Sequence, residues 1–148
     1  MKENYNLFLD DYRHPWDCIG YVRFYGIRPD IYVSKEWVIV KNYEDFVKHI
    51  EENGLPLTIS FDHDLHDEHY CPNEFFNDYD AWAATQNFTH KTGLECLEWF
   101  IEYCKDNNHT PPEIYVHSMN DCRRGRMNKI LTNFKENGLE INKGNIEG

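Results

Sequence analysis

The sequence predicts a three-layer α/β sandwich whose sheet is mainly parallel and has about five strands. Short apolar runs alternate along the chain with segments in which apolar residues recur every three or four positions, the periodicity of amphipathic helices. No linker or internal repeat interrupts this alternation. Because a helix that joins two parallel strands crosses over one face of the sheet, we expect helices on both faces.

Length and charge limit the classes of function. The chain has 148 residues, of which 41% are apolar and 16% aromatic, which fits a single domain spanning residues 1–148. Fifteen Lys and Arg oppose 26 Asp and Glu, giving a formal net charge of −11. This charge repels a phosphate backbone, so we expect no general binding of duplex nucleic acid. A small phosphorylated ligand held through a divalent cation remains compatible, because the cation dominates the local charge.

The sequence is typical of a cytoplasmic protein without a membrane partner. The apolar runs, such as residues 38–40, are far shorter than the ~20 residues needed to cross a bilayer. Asp10 and Asp11 lie in the first sixteen residues, where a secretory signal would be apolar. The five cysteines show no CxxC spacing, which favours reduced thiols over a disulfide framework or a zinc cluster.

The first half of the chain predicts three strands and one helix. Residues 6–11 place three apolar residues before two carboxylates, as in a short buried strand that ends at a sheet edge. A weaker strand over residues 37–41 precedes a helix that runs from Tyr43 to a stop signal at residues 53–54. Residues 57–61 predict the next strand.

The second half begins with a long polar and aromatic segment, residues 65–91. We expect a loop insertion there that serves as a lid or binding loop, with a disordered insertion as the alternative. Thr92 and Glu95 form a capping box that starts a helix running to about Lys105. The remaining predicted elements are a strand over residues 113–118, a helix over residues 121–136 that stops at Asn137 and Gly138, and a last strand over residues 139–142.

Chemistry-bearing side chains directly follow the apolar residues of three predicted strands. They are Asp10 and Asp11, then Asp62, His63 and Asp64, then His117 and Ser118. The carboxyl ends of parallel strands meet at one edge of a sheet, so we expect these side chains to converge. Four carboxylates cannot converge without a cation, because each charge would raise the pKa of the others. We therefore expect a divalent ion on the four aspartates, with Mg²⁺ as the first choice and Mn²⁺ as the alternative.

Each of these residues also has a second interpretation. Any one of the aspartates, taken alone, is compatible with capping a loop or a helix start. His63 and His117 either bind a transition metal or transfer a proton near neutral pH. We expect proton transfer, so that His117→Gln slows the chemical step by about 10²–10⁴-fold and leaves Mg²⁺ affinity nearly unchanged. The polar run over residues 66–69 either adds a second metal position or, as we expect, shapes the long loop.

Several cationic residues are candidates for phosphate binding. Arg13 either clamps a phosphate or pairs with Asp11. Lys91 and Thr92 stand at a predicted helix start, which favours anions, although a solvated lysine is the alternative. Residues 122–126 concentrate arginines that either bind phosphate or balance nearby acids. The aromatic residues of the long segment either stack on a nucleobase or anchor the loop, and we expect anchoring.

Four segments, taken together and in order, resemble the cyclic-phosphate processing receiver domains, which are similar to divergent response-regulator receivers. They are residues 7–15, 60–65, 91–93 and 117–120. The resemblance covers most of the chain and implies a flavodoxin-like, receiver-like fold. It implies that Asp10 and Asp11 stand where receivers hold Mg²⁺. It also implies that Asp62 stands at the phosphorylated aspartate and Ser118 at the strand-four hydroxyl.

The resemblance further implies a phosphoesterase rather than a phosphoacceptor, because His63, Asp64 and His117 are added to the receiver pattern. We therefore expect a metal-dependent cyclic phosphodiesterase that opens a cyclic phosphate on a nucleotide or an RNA end. The expected catalytic residues are His63, His117 and Ser118, and the expected substrate-binding residues are Arg13, Lys91, Thr92, Asn120 and Arg124. The alternative is a non-catalytic receiver-like module that responds to phosphate or binds a cyclic nucleotide.

Overall fold

A single parallel sheet forms the centre of the molecule. The computed structural model describes residues 5–75 and 78–147, with the backbone alone for residues 67, 73 and 136–147. Its strands are β1 (Asn6–Leu9), β2 (Trp37–Val40), β3 (Thr58–Phe61) and β4 (Glu113–Val116). They lie in the order β2-β1-β3-β4, and each neighbouring pair is parallel. The chain passes from β1 to β2 on one side and then to β3 on the other, so the topological switch point lies between β1 and β3.

Helical elements cover both faces of this sheet. They are α1 (Ile31–Ser34), α2 (Tyr43–Asn53), α3 (Tyr79–Ala83), α4 (Gly93–Asp106) and α5 (Asp121–Glu147). Apolar side chains of α2, α4 and α5 form the larger core cluster on one face. The smaller cluster on the other face comes from α1 and from short 3₁₀ turns at Pro15–Cys18 and Val22–Tyr25. The predicted three-layer arrangement is confirmed.

The alternation of side chains along the strands decides which residues reach the functional edge. Leu9 and Phe61 are fully buried in the larger core cluster, whereas Phe8 belongs to the smaller one. Ser60 pairs with Phe8 in the register and is also fully buried. Because successive strand residues point to opposite faces, Phe8 and Ser60 share a face with the residues two positions further along each strand.

Most of the predicted elements are confirmed. The four strands expected over residues 6–11, 37–41, 57–61 and 113–118 are present, each four residues long. The helix expected after Thr92 begins at Gly93, and Thr92 and Glu95 form the predicted capping box. The described part of residues 65–91 includes the short helix α3, which the sequence did not predict.

The expected fifth strand is wrong. Residues 139–142 belong to α5, which continues past Asn137 and Gly138 to Glu147, so the described residues contain four strands. A glycine inside a helix costs only about 1 kcal/mol relative to alanine, and a helix that has already formed propagates through such a position. No helix in the described part of the chain is both long enough and apolar enough to cross a membrane.

Residues at the two ends of the long segment hold each other. Glu68 accepts hydrogen bonds from the backbone amides of Thr89 and His90, at 2.9 and 2.6 Å. These hydrogen bonds lower the pKa of Glu68 to about 2, and the bond from the Thr89 amide has the largest effect. The rings of His66 and His90 stack with centroids 3.6 Å apart. Among the described side chains, the run at residues 66–69 therefore shapes the loop and contributes to no candidate metal group.

Candidate metal and phosphate site

Asp10, Asp62 and His117 form one row at the carboxyl edge of the sheet. The last paired residues of β1, β3 and β4 lie opposite one another, so the next residue of each strand continues the same register. Two backbone hydrogen bonds extend the ladder into this row. The Asp62 amide donates to the Leu9 carbonyl and the His117 amide to the Phe61 carbonyl, both at 2.9 Å. The row therefore lies beside the switch point, where open α/β sheets bind ligands.

The buried carboxylate of Asp10 is surrounded by donors. Its Oδ1 accepts hydrogen bonds from the amides of Tyr12 and Arg13, at 2.9 and 2.8 Å. Its Oδ2 lies 2.9 Å from Nε2 of His117 and 3.4 Å from the Arg13 guanidinium. Burial alone would raise the pKa of Asp10, but the hydrogen bond from His117 and the two amides outweigh it and lower the pKa. The ionised form of Asp10 is therefore favoured.

Asp62 has the opposite environment, although it is the neighbour of Asp10 in the row. Its side chain is buried, and its Oδ1 lies 3.6 Å from the Arg13 guanidinium. Its Oδ2 has no hydrogen-bond partner among the described residues. Burial, followed by the negative charge of Asp10, raises the pKa of Asp62. A buried oxygen without a donor is costly, and a bound cation would satisfy it.

His117 contacts protein groups through both ring nitrogens. Because Asp10 is ionised, Nε2 of His117 donates to it, which leaves Nδ1 to accept the hydroxyl proton of Ser60 at 2.6 Å. Tyr32 in turn lies 2.8 Å from the Ser60 hydroxyl. The fully buried ring stacks on Phe8 with centroids 4.4 Å apart, and burial lowers the pKa of His117. The imidazole is therefore placed to hold Asp10 rather than to face the solvent.

His63 and Asp64 form a second pair. Nδ1 of His63 lies 2.6 Å from Oδ1 of Asp64, which also accepts from the Tyr79 hydroxyl at 3.4 Å and the Asn120 amide at 3.3 Å. His63 is fully buried against the Tyr79 ring, and burial lowers its pKa. Its Nε2 has no partner among the described residues. These contacts attach Asp64 to His63 and to the cavity wall.

Two of the four predicted metal ligands converge. Ligand atoms of Asp10, Asp62 and His117 lie within 4.8 Å of one another. Two oxygens on opposite sides of one Mg²⁺ lie roughly 4.2 Å apart, so this group needs little adjustment to share an ion. Asp11 and Asp64 lie outside the group. Asp11 instead accepts from the Tyr70 hydroxyl at 3.4 Å.

A cavity of about 240 Å³ lies beside the row. It is lined by Arg13, Asp62, Asp64, Tyr70, Cys71, Tyr79, Ser118, Met119 and Asn120. Arg13, Ser118 and Asn120 are therefore at the cavity, together with Asp62. The interpretation of Arg13 as a partner of Asp11 is replaced, since its guanidinium contacts Asp10 and Asp62.

The other predicted substrate-binding residues point elsewhere. The Lys91 ammonium lies 4.4 Å from the centre of the Tyr43 ring, on α2. Thr92 caps α4 and borders a separate cavity. Lys91 lies against Tyr43 because an aromatic ring offers apolar contact to the aliphatic stem and attracts the ammonium charge.

Arg124 supports the loop after β4 rather than entering the cavity. Its guanidinium donates to the Ser118 carbonyl at 2.9 Å and pairs with Asp121 at 2.7 Å. It also lies over the Tyr25 ring, 3.5 Å from the ring centre. With these partners Arg124 holds the backbone of Ser118 in place.

Three residues of the site were not predicted from the sequence. Ser60 and Tyr32 fix the His117 ring, and the signal for Ser60 was a hydroxyl between two apolar residues of β3. Gly93 donates its amide to the His63 carbonyl at 2.7 Å, and a Cβ there would overlap the Asp62 carbonyl. Glycine is therefore required where α4 begins against the end of β3.

The family comparison agrees with this geometry. Residues 5–133 match the family described as Cyclic-phosphate processing Receiver domain. Comparisons with curated proteins and with solved structures found no match. The match covers most of the chain, including all four strands and the row of Asp10, Asp62 and His117. The chain therefore belongs to the family of cyclic-phosphate processing receiver domains and has their receiver-like α/β fold.

Proposed function

We propose that the protein is a metal-dependent phosphoesterase that opens a cyclic phosphate on a nucleotide or an RNA end. The observation that carries this proposal is Oδ2 of Asp62, which has no partner among the residues that the structure describes. It belongs to a carboxylate beside Asp10 that lines the cavity with Arg13. This arrangement offers negative charge for a cation and a guanidinium for a phosphate in adjoining positions.

The donor set fits a divalent ion. Asp10 and Asp62 would hold it, with Mg²⁺ as the first choice and Mn²⁺ as the alternative, because both prefer oxygen ligands. A divalent ion held by these two carboxylates would supply polarisation of the phosphoryl group and a lowered pKa for a bound water. His117 acts through Asp10, whose carboxylate it orients. Asp11 and Asp64 as further ligands stay predictions.

The remaining residues bind and orient the substrate. Arg13 and Asn120 donate to phosphate oxygens, and the Ser118 hydroxyl orients one of them. In hydrolysis the water oxygen bonds to phosphorus and one P–O ester bond breaks, giving a phosphomonoester and a free hydroxyl. The proton lost by the water goes to the leaving oxygen. Asp64 lines the cavity and His63 is bonded to it, so this pair handles that proton.

Product analysis tests the proposal. The wild-type protein is incubated with a 2′,3′-cyclic nucleotide and a 3′,5′-cyclic nucleotide, each with Mg²⁺, Mn²⁺ or a chelator. We expect multiple turnovers to a phosphomonoester only with a divalent ion, and loss of turnover in Asp62→Asn. Asp30→Asn is the matched control, because the Asp30 carboxylate is exposed and pairs with Arg28.

Two results would contradict turnover. Binding of a cyclic nucleotide without product would favour a binding module. A phosphoryl group that accumulates on Asp62 without turnover would favour a phosphate-responsive receiver.

A further inference from the structure

Arg13 lies against both carboxylates of the candidate metal group. Its guanidinium is 3.4 Å from Asp10 and 3.6 Å from Asp62, and its side chain is 21% exposed. It also lines the cavity and lies 5.8 Å from the centre of the Tyr21 ring. Among the residues that the structure describes, no other Lys or Arg forms an ion pair with Asp10 or Asp62.

The contacts of Arg13 are long for an ion pair. Arginine and carboxylate in a well-formed pair share two hydrogen bonds of ~2.7–2.9 Å, whereas Arg13 makes one contact to each of two carboxylates at 3.4 and 3.6 Å. The guanidinium therefore neutralises charge without fixed geometry. It also leaves Oδ2 of Asp62 without a hydrogen-bond partner in the described part of the chain.

A divalent cation would satisfy the same two carboxylates better than Arg13 does. It carries twice the charge and binds oxygen at ~2.1 Å, closer than any hydrogen-bonded guanidinium. A guanidinium that stayed between the carboxylates would repel it. The backbone of Arg13 need not move, because its amide holds Oδ1 of Asp10 at 2.8 Å.

We propose that Arg13 is a counter-ion that gives up Asp10 and Asp62 to a divalent cation and then turns its guanidinium to a phosphate in the adjoining cavity. This proposal rests on the proposed function, since it presumes a metal on these carboxylates. It deepens that function by linking phosphate binding to metal binding through one side chain. Arg13 is then both the barrier to the metal and the ligand of the phosphate.

The variant Arg13→Gln tests both halves with Mn²⁺ and inorganic phosphate as probes. Without the guanidinium, Mn²⁺ affinity rises by about tenfold or more, because the competing charge is gone. The affinity of the Mn²⁺-loaded variant for inorganic phosphate falls by about tenfold or more relative to wild type, because a charged donor is lost. Arg28→Gln is the matched control, since it removes one exposed positive charge that pairs with Asp30, and it changes neither affinity.

Affinities that move in opposite directions separate this role from a structural one. A merely structural Arg13 predicts that both affinities fall, and a simple phosphate clamp predicts that Mn²⁺ affinity does not rise. Either result overturns the proposal, as does a rise in Mn²⁺ affinity with unchanged phosphate affinity. If wild type binds Mn²⁺ and the variant binds it no more tightly, the proposal for Arg13 is overturned while the proposed function stands. If neither protein binds Mn²⁺, the metal in the proposed function fails as well.

If Arg13→Gln does not fold, a crystal structure of the wild-type protein tests the proposal instead. A crystal structure with Mn²⁺ and inorganic phosphate shows the guanidinium on the phosphate and away from Asp62. A guanidinium that keeps its contacts to Asp10 and Asp62 in that structure overturns the proposal.

Discussion

Asp10 and Asp62 are neighbours in the sheet, yet their surroundings give them different parts in the site. Asp10 accepts hydrogen bonds from two amides and from His117, so its charge and orientation are fixed by the protein. Asp62 is as deeply buried but has an oxygen without any partner among the described residues. In the proposed metal site, Asp10 would therefore be a pre-oriented ligand, and a cation would supply the partner that the Asp62 oxygen lacks.

Asp62→Asn should make the metal-free protein more stable at neutral pH. Burial, and then the charge of Asp10, raises the pKa of Asp62 in the folded state. Protonated Asp62 therefore stabilises the folded state. This stabilisation is complete below the unfolded pKa of ~3.9 and is lost as pH rises through the pKa of Asp62 in the folded state. Asparagine imitates the protonated carboxyl and removes this loss. Melting curves of both proteins, recorded with a chelator from acid to neutral pH, measure the difference in stability. For a chain of this size, each kcal/mol shifts the melting temperature by ~2–4 °C.

The gap between the two melting temperatures should widen as the pH rises toward neutral. Addition of Mg²⁺ should then stabilise wild type and leave the variant unchanged, because only wild type keeps the charge that holds the ion. A variant that melts below wild type at neutral pH without metal would contradict the environment assigned to Asp62.

His117→Gln should mainly weaken metal binding. Because His117 holds Asp10 and is itself held by Ser60, its loss disturbs a ligand from behind, which typically costs about 10–100-fold in metal affinity. The sequence predicted instead that His117 transfers a proton, and that role stays a prediction which the same experiment tests. Titration with Mn²⁺ and single-turnover rates on the same folded variant measure both effects. Unchanged Mn²⁺ affinity with a slowed chemical step would restore the proton-transfer role.

Among the structural elements, the contact between α4 and the end of β3 positions Asp62 and His63. Gly93→Ala should destabilise the protein by at least ~1–3 kcal/mol, because its Cβ would overlap the Asp62 carbonyl. Gly125→Ala is the matched control inside α5, where a Cβ meets no described atom within 4 Å. It should stabilise the protein by ~0.5–1 kcal/mol. Urea unfolding of the two variants measures the difference, and equal effects would contradict the close packing at Gly93.

The elements that sequence could predict are those with strong local signals. The strand before Asp10 has a compact apolar run, the strand before Asp62 alternates hydroxyl and apolar residues, and α4 has a capping box at Thr92. The short helices α1 and α3 have four and five residues, too few to be stable alone, so tertiary packing decides them. The stop signal at residues 137–138 failed because a formed helix tolerates one glycine.

At the scale of the whole molecule, the formal charge of −11 should select against polyanionic substrates. We expect kcat/KM for a cyclic mononucleotide to exceed that for an oligonucleotide with the same cyclic end at low salt. The difference should narrow as salt screens the repulsion beyond a Debye length of ~10 Å at 0.1 M. Rates at several salt concentrations measure it. A preference for the oligonucleotide that weakens with salt would instead indicate a basic binding path.

The convergence of the three buried side chains of the site was predictable, because it follows from the topology of the sheet. Parallel strands had to bring Asp10, Asp62 and His117 to one edge, and they do. The pairing of Arg13 with both aspartates was not predictable, because it depends on how a long side chain crosses between strands. The direction of Lys91 likewise depends on the packing of α2 beside α4.

A crystal structure of the wild-type protein with Mn²⁺, recorded at a wavelength where manganese scatters anomalously, shows directly whether Asp10 and Asp62 share an ion. We expect one anomalous peak about 2.1 Å from a carboxylate oxygen of Asp10 and one of Asp62, beside the cavity that Arg13 lines. A saturated crystal without a peak on these two carboxylates, or with its peak elsewhere, would contradict it.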